Sequence, residues 1–152
     1  MAISGTLSDA NIVKMSNAVV EIDIGSVDTW VAVESWGNAV EMDRGAATLG
    51  EEPTLDGTNH VSVGVQGSAR VRATFIFTSV ATDPFAQLYG LVGTNVDIRV
   101  SPSGTAAEQR LYTSSGWLLA CSPPGWQSTD GSPAKFEIEI GAADILNEAI
   151  SA

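Results

Sequence analysis

The sequence predicts a mainly β domain, a β-sandwich or partly open barrel with one short flanking helix and a C-terminal tail that is helical or flexible. Three observations carry that reading. Apolar and polar residues alternate in stretch after stretch, as in AVVEIDI (18–24) and AKFEIEI (134–140), which is the period of strands with one dry and one wet face. The rhythm changes once, at TDPFAQLYGLVG (82–93), where the spacing becomes helical. At 152 residues the chain is one domain long, and a domain of that size buries a core without a disulfide or metal staple.

The elements follow in order. Val20, Ile22 and Ile24 share one face of the first strand, with Glu21 and Asp23 on the other. TWVAVE (29–34) and NAVEMD (38–43) are the next two strands. Residues 44–59, RGAATLGEEPTLDGTN, read as a long loop from their Gly, Pro and acidic content. HVSVGV (60–65) alternates again and leads into a long strand, SARVRATFIFT (68–78), in which Arg70 and Arg72 face away from Val71, Ala73 and Phe75. In the helix, Asp83 is placed to cap and Pro84 to occupy the first turn, where its missing N–H is no loss. Phe85, Leu88 and Leu91 or Val92 form its buried stripe. NVDIRV (95–100) and 134–140 are further strands and 109–114 with 116–121 give one or two more, with SPPGWQSTDGSP (122–133) as a connector. AADILNEAISA (142–152) has helical composition and a partial apolar stripe. The chain is thus one unit over 1–152, with an N-terminal arm (1–17), a long assembly loop (44–59) and a C-terminal tail (142–152).

Charge and chemistry exclude several classes. Seven basic against 18 acidic residues give a net charge of −11, so DNA is not bound by phosphate neutralisation. The N-terminus lacks a basic start followed by an apolar core, and no apolar run approaches a membrane span; the expectation is a chain made in the cytoplasm, with no membrane partner. His60 and Cys121 are single residues of their kind and do not make a zinc site. No nucleophile elbow and no phosphate-binding glycine loop occurs. No enzyme activity, metal or cofactor is expected. The four tryptophans, Trp30, Trp36, Trp117 and Trp126, read as core or interface anchors, with a carbohydrate-binding β-sandwich as the alternative use.

Four pieces then come in a telling order: a tryptophan-bearing strand pair (WVAVESWGNAVEMDRG, 30–45), a loop with Gly-Glu and hydrophobe-Asp-Gly (LGEEPTLDGTN, 49–59), a long alternating strand (VQGSARVRATFIFT, 65–78) and a helix opened by Asp-Pro-Phe (82–92). This order resembles the tail tube (major tail) proteins of long non-contractile-tailed bacteriophages and related tail-like particles. The resemblance implies hexameric rings that stack into a tube through which genomic DNA passes without specific binding. It implies a virion protein assembled in the host cytoplasm, meeting tape measure, terminator and distal tail proteins. Other virion β proteins, a tail terminator or a head decoration protein, are the alternative. On this reading Leu49, Glu51, Glu52, Leu55 and Asp56 in the loop, and Ile145, Leu146 and Ile150 in the tail, are the expected inter-subunit contacts. Glu21, Asp23, Glu137 and Glu139 are the candidates to line an acidic lumen, although alternation leaves open which wet face is which.

Overall fold

In the computed structural model, residues 5, 17–104, 109–125 and 131–150 are described. The N-terminal arm, apart from Gly5 and Asn17, and Trp126 lie outside them. The strands are β1 (Val19–Ile24), β2 (Val31–Ala32), β3 (Gly37–Asp43), β4 (Ala47–Pro53), β5 (Asn59–Gln66), β6 (Ala69–Ile76), β7 (Asn95–Ser101), β8 (Arg110–Ser122) and β9 (Lys135–Ala149). One helix, α1 (Pro84–Leu88), lies between β6 and β7 and runs into a single 3-10 turn over Tyr89–Leu91.

Seven strands form one antiparallel sheet in the order β2-β1-β7-β8-β9-β6-β3. The order itself forces curvature. β2 and β3 stand at opposite edges, yet residues 33–36 are all that joins them. Laid flat, six strand spacings would separate those edges by about 29 Å. The connector spans at most about 18 Å. The sheet therefore curls into a partly open barrel, and the connector stitches its edges. The Val33 N–H donates to the Val20 carbonyl at 2.8 Å, and the Trp36 carbonyl accepts from the Ile76 N–H at 2.8 Å.

The concave side is the core. Val71, Ala73 and Phe75 of β6 alternate inward against Phe136, Ile138 and Ile140 of β9, with Val96, Ile98 and Leu118 beyond. Leu88 of α1 closes one side. Phe85 sets its ring edge-on to Phe77 and Phe136, at 4.8 and 5.1 Å between centroids, a favoured aromatic geometry.

Several expectations change. The helix is shorter than 82–92, and Asp83 makes no side-chain cap; its carboxylate accepts from the Thr78 hydroxyl instead. The segments 109–114 and 116–121 are one strand. The region read as the loop 44–59 contains β4, which pairs with β5 through a register shift between Ala47 and Leu49. The tail is strand too, because Leu111–Ser114 of β8 pair with Ile145–Glu148 of β9. Ladder bonds to a neighbouring strand outweigh the helical composition of AADILNEA.

Candidate assembly surface

The β4–β5 hairpin stands away from the barrel. All 15 of its strand residues are exposed, and its strands pack chiefly on each other. Its root is fixed by conformation. Gly45 has φ +78°, and a Cβ there would lie 2.7 Å from the carbonyl oxygens of Gly67 and Ser68, so only glycine fits without a shift. The Gln66 amide donates to the Arg44 carbonyl at 2.9 Å. Arg44 in turn grips Asp144 of β9 with two bonds, of 2.8 and 3.0 Å. This fork holds the Asp144 carboxyl below its usual range, first through the Arg44 hydrogen bond. At the tip, the Thr54 N–H donates to the Thr58 carbonyl at 2.8 Å. Asp56 accepts from the Thr54 hydroxyl and from the Thr58 N–H, and these bonds lower its pKa in that order.

The expected contact residues Leu49, Glu51, Glu52, Leu55 and Asp56 all lie on this hairpin and are exposed. Glu51 stands opposite Val61, and Leu49 opposite Val63, so the four share one face of the ribbon. Leu49, Val61 and Val63 make an apolar strip, and Val65, 88% exposed, continues beside the register shift. The valines were legible as strand alternation in HVSVGV, but nothing in that pattern distinguishes a valine facing a core from one facing outward.

The tail candidates separate. Ile145 is 7% exposed and belongs to the core, a correction that follows from its pairing with Ser114 on the inward side of β8. Leu146 is half exposed. Ile150 is partly buried, its N–H held by the Gln109 carbonyl at 2.9 Å.

The carboxylate candidates separate as well. Asp23, expected on a wet face, is 2% exposed. Its two oxygens accept from the N–H groups of Val27 and Asp28 at 3.3 and 2.8 Å, so it shapes the turn after β1. Glu21 is partly buried and holds Arg99 by two bonds of 3.2 and 3.0 Å. Arg99 also lies 4.2 Å above the Trp30 ring, a cation–π contact. Glu137 and Glu139 do share the outward face of β9. Glu139 stands opposite Arg72 and lies 3.7 Å from Arg70, whereas Glu137 faces Thr74 and Ser122. Glu41 and Asp43 of β3 oppose Arg72 and Arg70 on the same face, which is thus a mixed ladder with an acidic excess.

A second surface was not foreseen. An open groove of about 420 Å³ lies where β1, β2 and the following connector meet α1. Ile24, Val27 and Val31 form one wall, Pro84 and Leu88 the other, and Trp36 lies between. Its signal in the sequence is the recurrence of apolar residues at Ile22, Ile24, Val27, Val31, Val33 and Trp36, which reads as two strands about a turn and not as a groove. The remaining reactive groups are quiet. Cys121 is buried, and burial pushes its thiol pKa up. His60 is exposed on β5, opposite Glu52. Among the described residues no three His, Cys, Asp or Glu side chains gather as metal ligands, and no helix is long and apolar enough to cross a membrane.

No family model and no curated protein matches the sequence. Solved structures do match the fold. The chain superposes on a component of the PVC sheath-tube complex of an extracellular contractile injection system (TM-score 0.72, 14% identity, 95% of this chain and 100% of that one). It superposes on the tube-terminating cap of the anti-feeding prophage (0.71, 13%, 98% and 99%), and on the SPP1 tail tube (0.61, 8%, 93% and 81%). Along nearly its whole length, this acidic β chain has the fold found in tubes and caps of tail-like particles.

Proposed function

We propose that the chain is a structural tube subunit that forms hexameric rings, and that these rings stack into a conduit through which genomic DNA passes. The carrying observation is the free-standing β4–β5 hairpin with its exposed apolar strip. A lone two-stranded ribbon is marginal in water, so its extended form points to a surface that covers it. Leu49, Glu51, Glu52, Leu55 and Asp56 on the hairpin and Leu146 and Ile150 at the end of β9 are the inter-subunit contacts. Six-fold rings are supported by a further neighbour in fold, from the tail of an empty GTA particle treated with C6 symmetry (TM-score 0.60).

The outward face of β3, β6 and β9 supplies the bore, where Glu41, Asp43, Glu137 and Glu139 outnumber Arg70, Arg72 and Lys135. Glu137 and Glu139 line it, and the acidic excess keeps phosphates from adhering. Tape measure, terminator and distal tail proteins are the other partners, and the virion tail is the final location. The role needs no catalysis and no cofactor.

Electron microscopy of the purified protein at rising concentration tests this, with mass in solution alongside. Hollow rods of stacked rings are expected. A strict monomer at every concentration overturns self-assembly into a tube. The likeness to the cap of the anti-feeding prophage favours a second reading, a terminating ring, which predicts closed rings that never elongate.

A further inference from the structure

We infer that the groove between β2 and α1 is the receiving site for the β4–β5 hairpin of a second copy of this chain. The inference rests on the assembly reading above and names the surface that the hairpin meets.

Two exposed apolar surfaces among the described residues bear on this. One is narrow: Leu49, Val61 and Val63 on one face of the hairpin. The other is concave: the groove walled by Val27, Val31 and Leu88, with Trp36 between. Val27 and Val31 are 66% and 58% exposed, so burying them on a partner removes apolar surface from water.

Electrostatics selects the same pair. Two copies, each at −11, repel over most of their surfaces. Self-contact is least opposed where neither surface carries charge. None of the described residues lining the groove is ionisable. The strip is likewise uncharged over Leu49 and Val63, with Glu51 marking its outer end beside Val61. Docked by its inner half, the hairpin leaves Glu51, Glu52 and Asp56 at the groove mouth, in water, and no carboxylate is desolvated.

Scale fixes the character of the contact. A ribbon of one seven-residue and one eight-residue strand is about 24 Å long and about 10 Å wide, so even its whole face docked on a partner buries only about 500 Å² in total, and the inner half about half of that. A specific interface needs about 1,000 Å² or more. One hairpin in one groove is thus too small to hold a dimer, and the contact is one among several that each copy makes. A knob and a socket at different places on one chain make a heterologous contact, which closes into a ring where its rotation closes and otherwise repeats as an open stack.

Site-directed cross-linking in the full-length chain tests this, in a Cys121→Ala background. Val31→Cys chains are mixed with Val63→Cys chains and oxidised mildly. The control replaces Val31→Cys by Leu119→Cys, at an exposed residue of β8, an element outside the groove lining. The expected result is a mixed covalent dimer several-fold above the control, together with loss of rods in Val31→Asp while its circular dichroism is unchanged. Equal yields with Val31→Cys and Leu119→Cys overturn the groove. If the unmodified chain still forms rods in that case, the tube reading stands. A specific cross-link without rods keeps the groove and overturns the stacked tube. Neither cross-link nor rods overturns both.

Discussion

Phe136 shows how much one side chain carries in this barrel. It is buried between Phe75 and Phe85, at 5.6 and 5.1 Å between ring centroids, and so joins the sheet to the helix. Phe136→Ala should cost about 3–5 kcal/mol of stability, read as a lower urea midpoint. Asp56 at the hairpin tip makes a different prediction. Its folded pKa lies below the ordinary value of 3.8, because Thr54 and Thr58 bond to the ionised carboxylate. The stabilisation it gives the tip is therefore present above pH 3.8 and is lost as the pH falls through the lowered folded value. The Thr58 amide resonance should move in that acidic window, and in Asp56→Asn the window should vanish. Asp23 marks the limit of residue-level reading. Alternation put it on a wet face of β1, but the turn that follows folds over it, takes both its oxygens and leaves it buried.

At the level of elements, the hairpin and the barrel are nearly independent. Gly45→Ala should disorder the hairpin root, where a Cβ meets two carbonyl oxygens, while the barrel keeps its Tm within a few degrees. Hydrogen exchange separates the two: β4 and β5 should lose protection and β6 to β9 should not. Replacing residues 47–66 by a short glycine linker should leave a folded monomer that forms no rods; normal rods would show that the hairpin is dispensable. The strands that line the core were legible because their alternation is enforced by burial, as in Val71, Ala73 and Phe75. β4 was not, since ATLGEEP holds two glutamates, a glycine and a proline, composition that ordinarily marks a loop. The last part of β9 was read as helical for a related reason. Its strand state is decided by Leu111 to Ser114, more than 30 residues upstream, and no local pattern reports a partner that distant.

For the whole molecule, the sheet order decides the shape. The curled sheet follows from β2 and β3 standing at opposite edges with four residues between them. That arrangement was beyond sequence periodicity, which gives faces but not neighbours. The Arg44–Asp144 fork, 100 positions apart in sequence, belongs to the same category: the sequence shows both charges and not their meeting. Being exposed, the fork is screened by salt. Arg44→Ala should therefore change stability by less than about 1 kcal/mol and act instead on the hairpin's direction, seen as fewer or bent rods at equal protein concentration.

The separateness of the hairpin has a consequence for how such chains diversify. Its strand residues contribute nothing to the buried core, so substitutions there escape the purifying pressure that stability imposes on Phe75 or Ile138. On the proposed assembly, partner choice and folding are then carried on different stretches of the chain. Under that proposal a lineage is free to rewrite the hairpin together with the exposed socket valines Val27 and Val31, and so become blind to a rival's subunits, while the core residues beneath stay as they were.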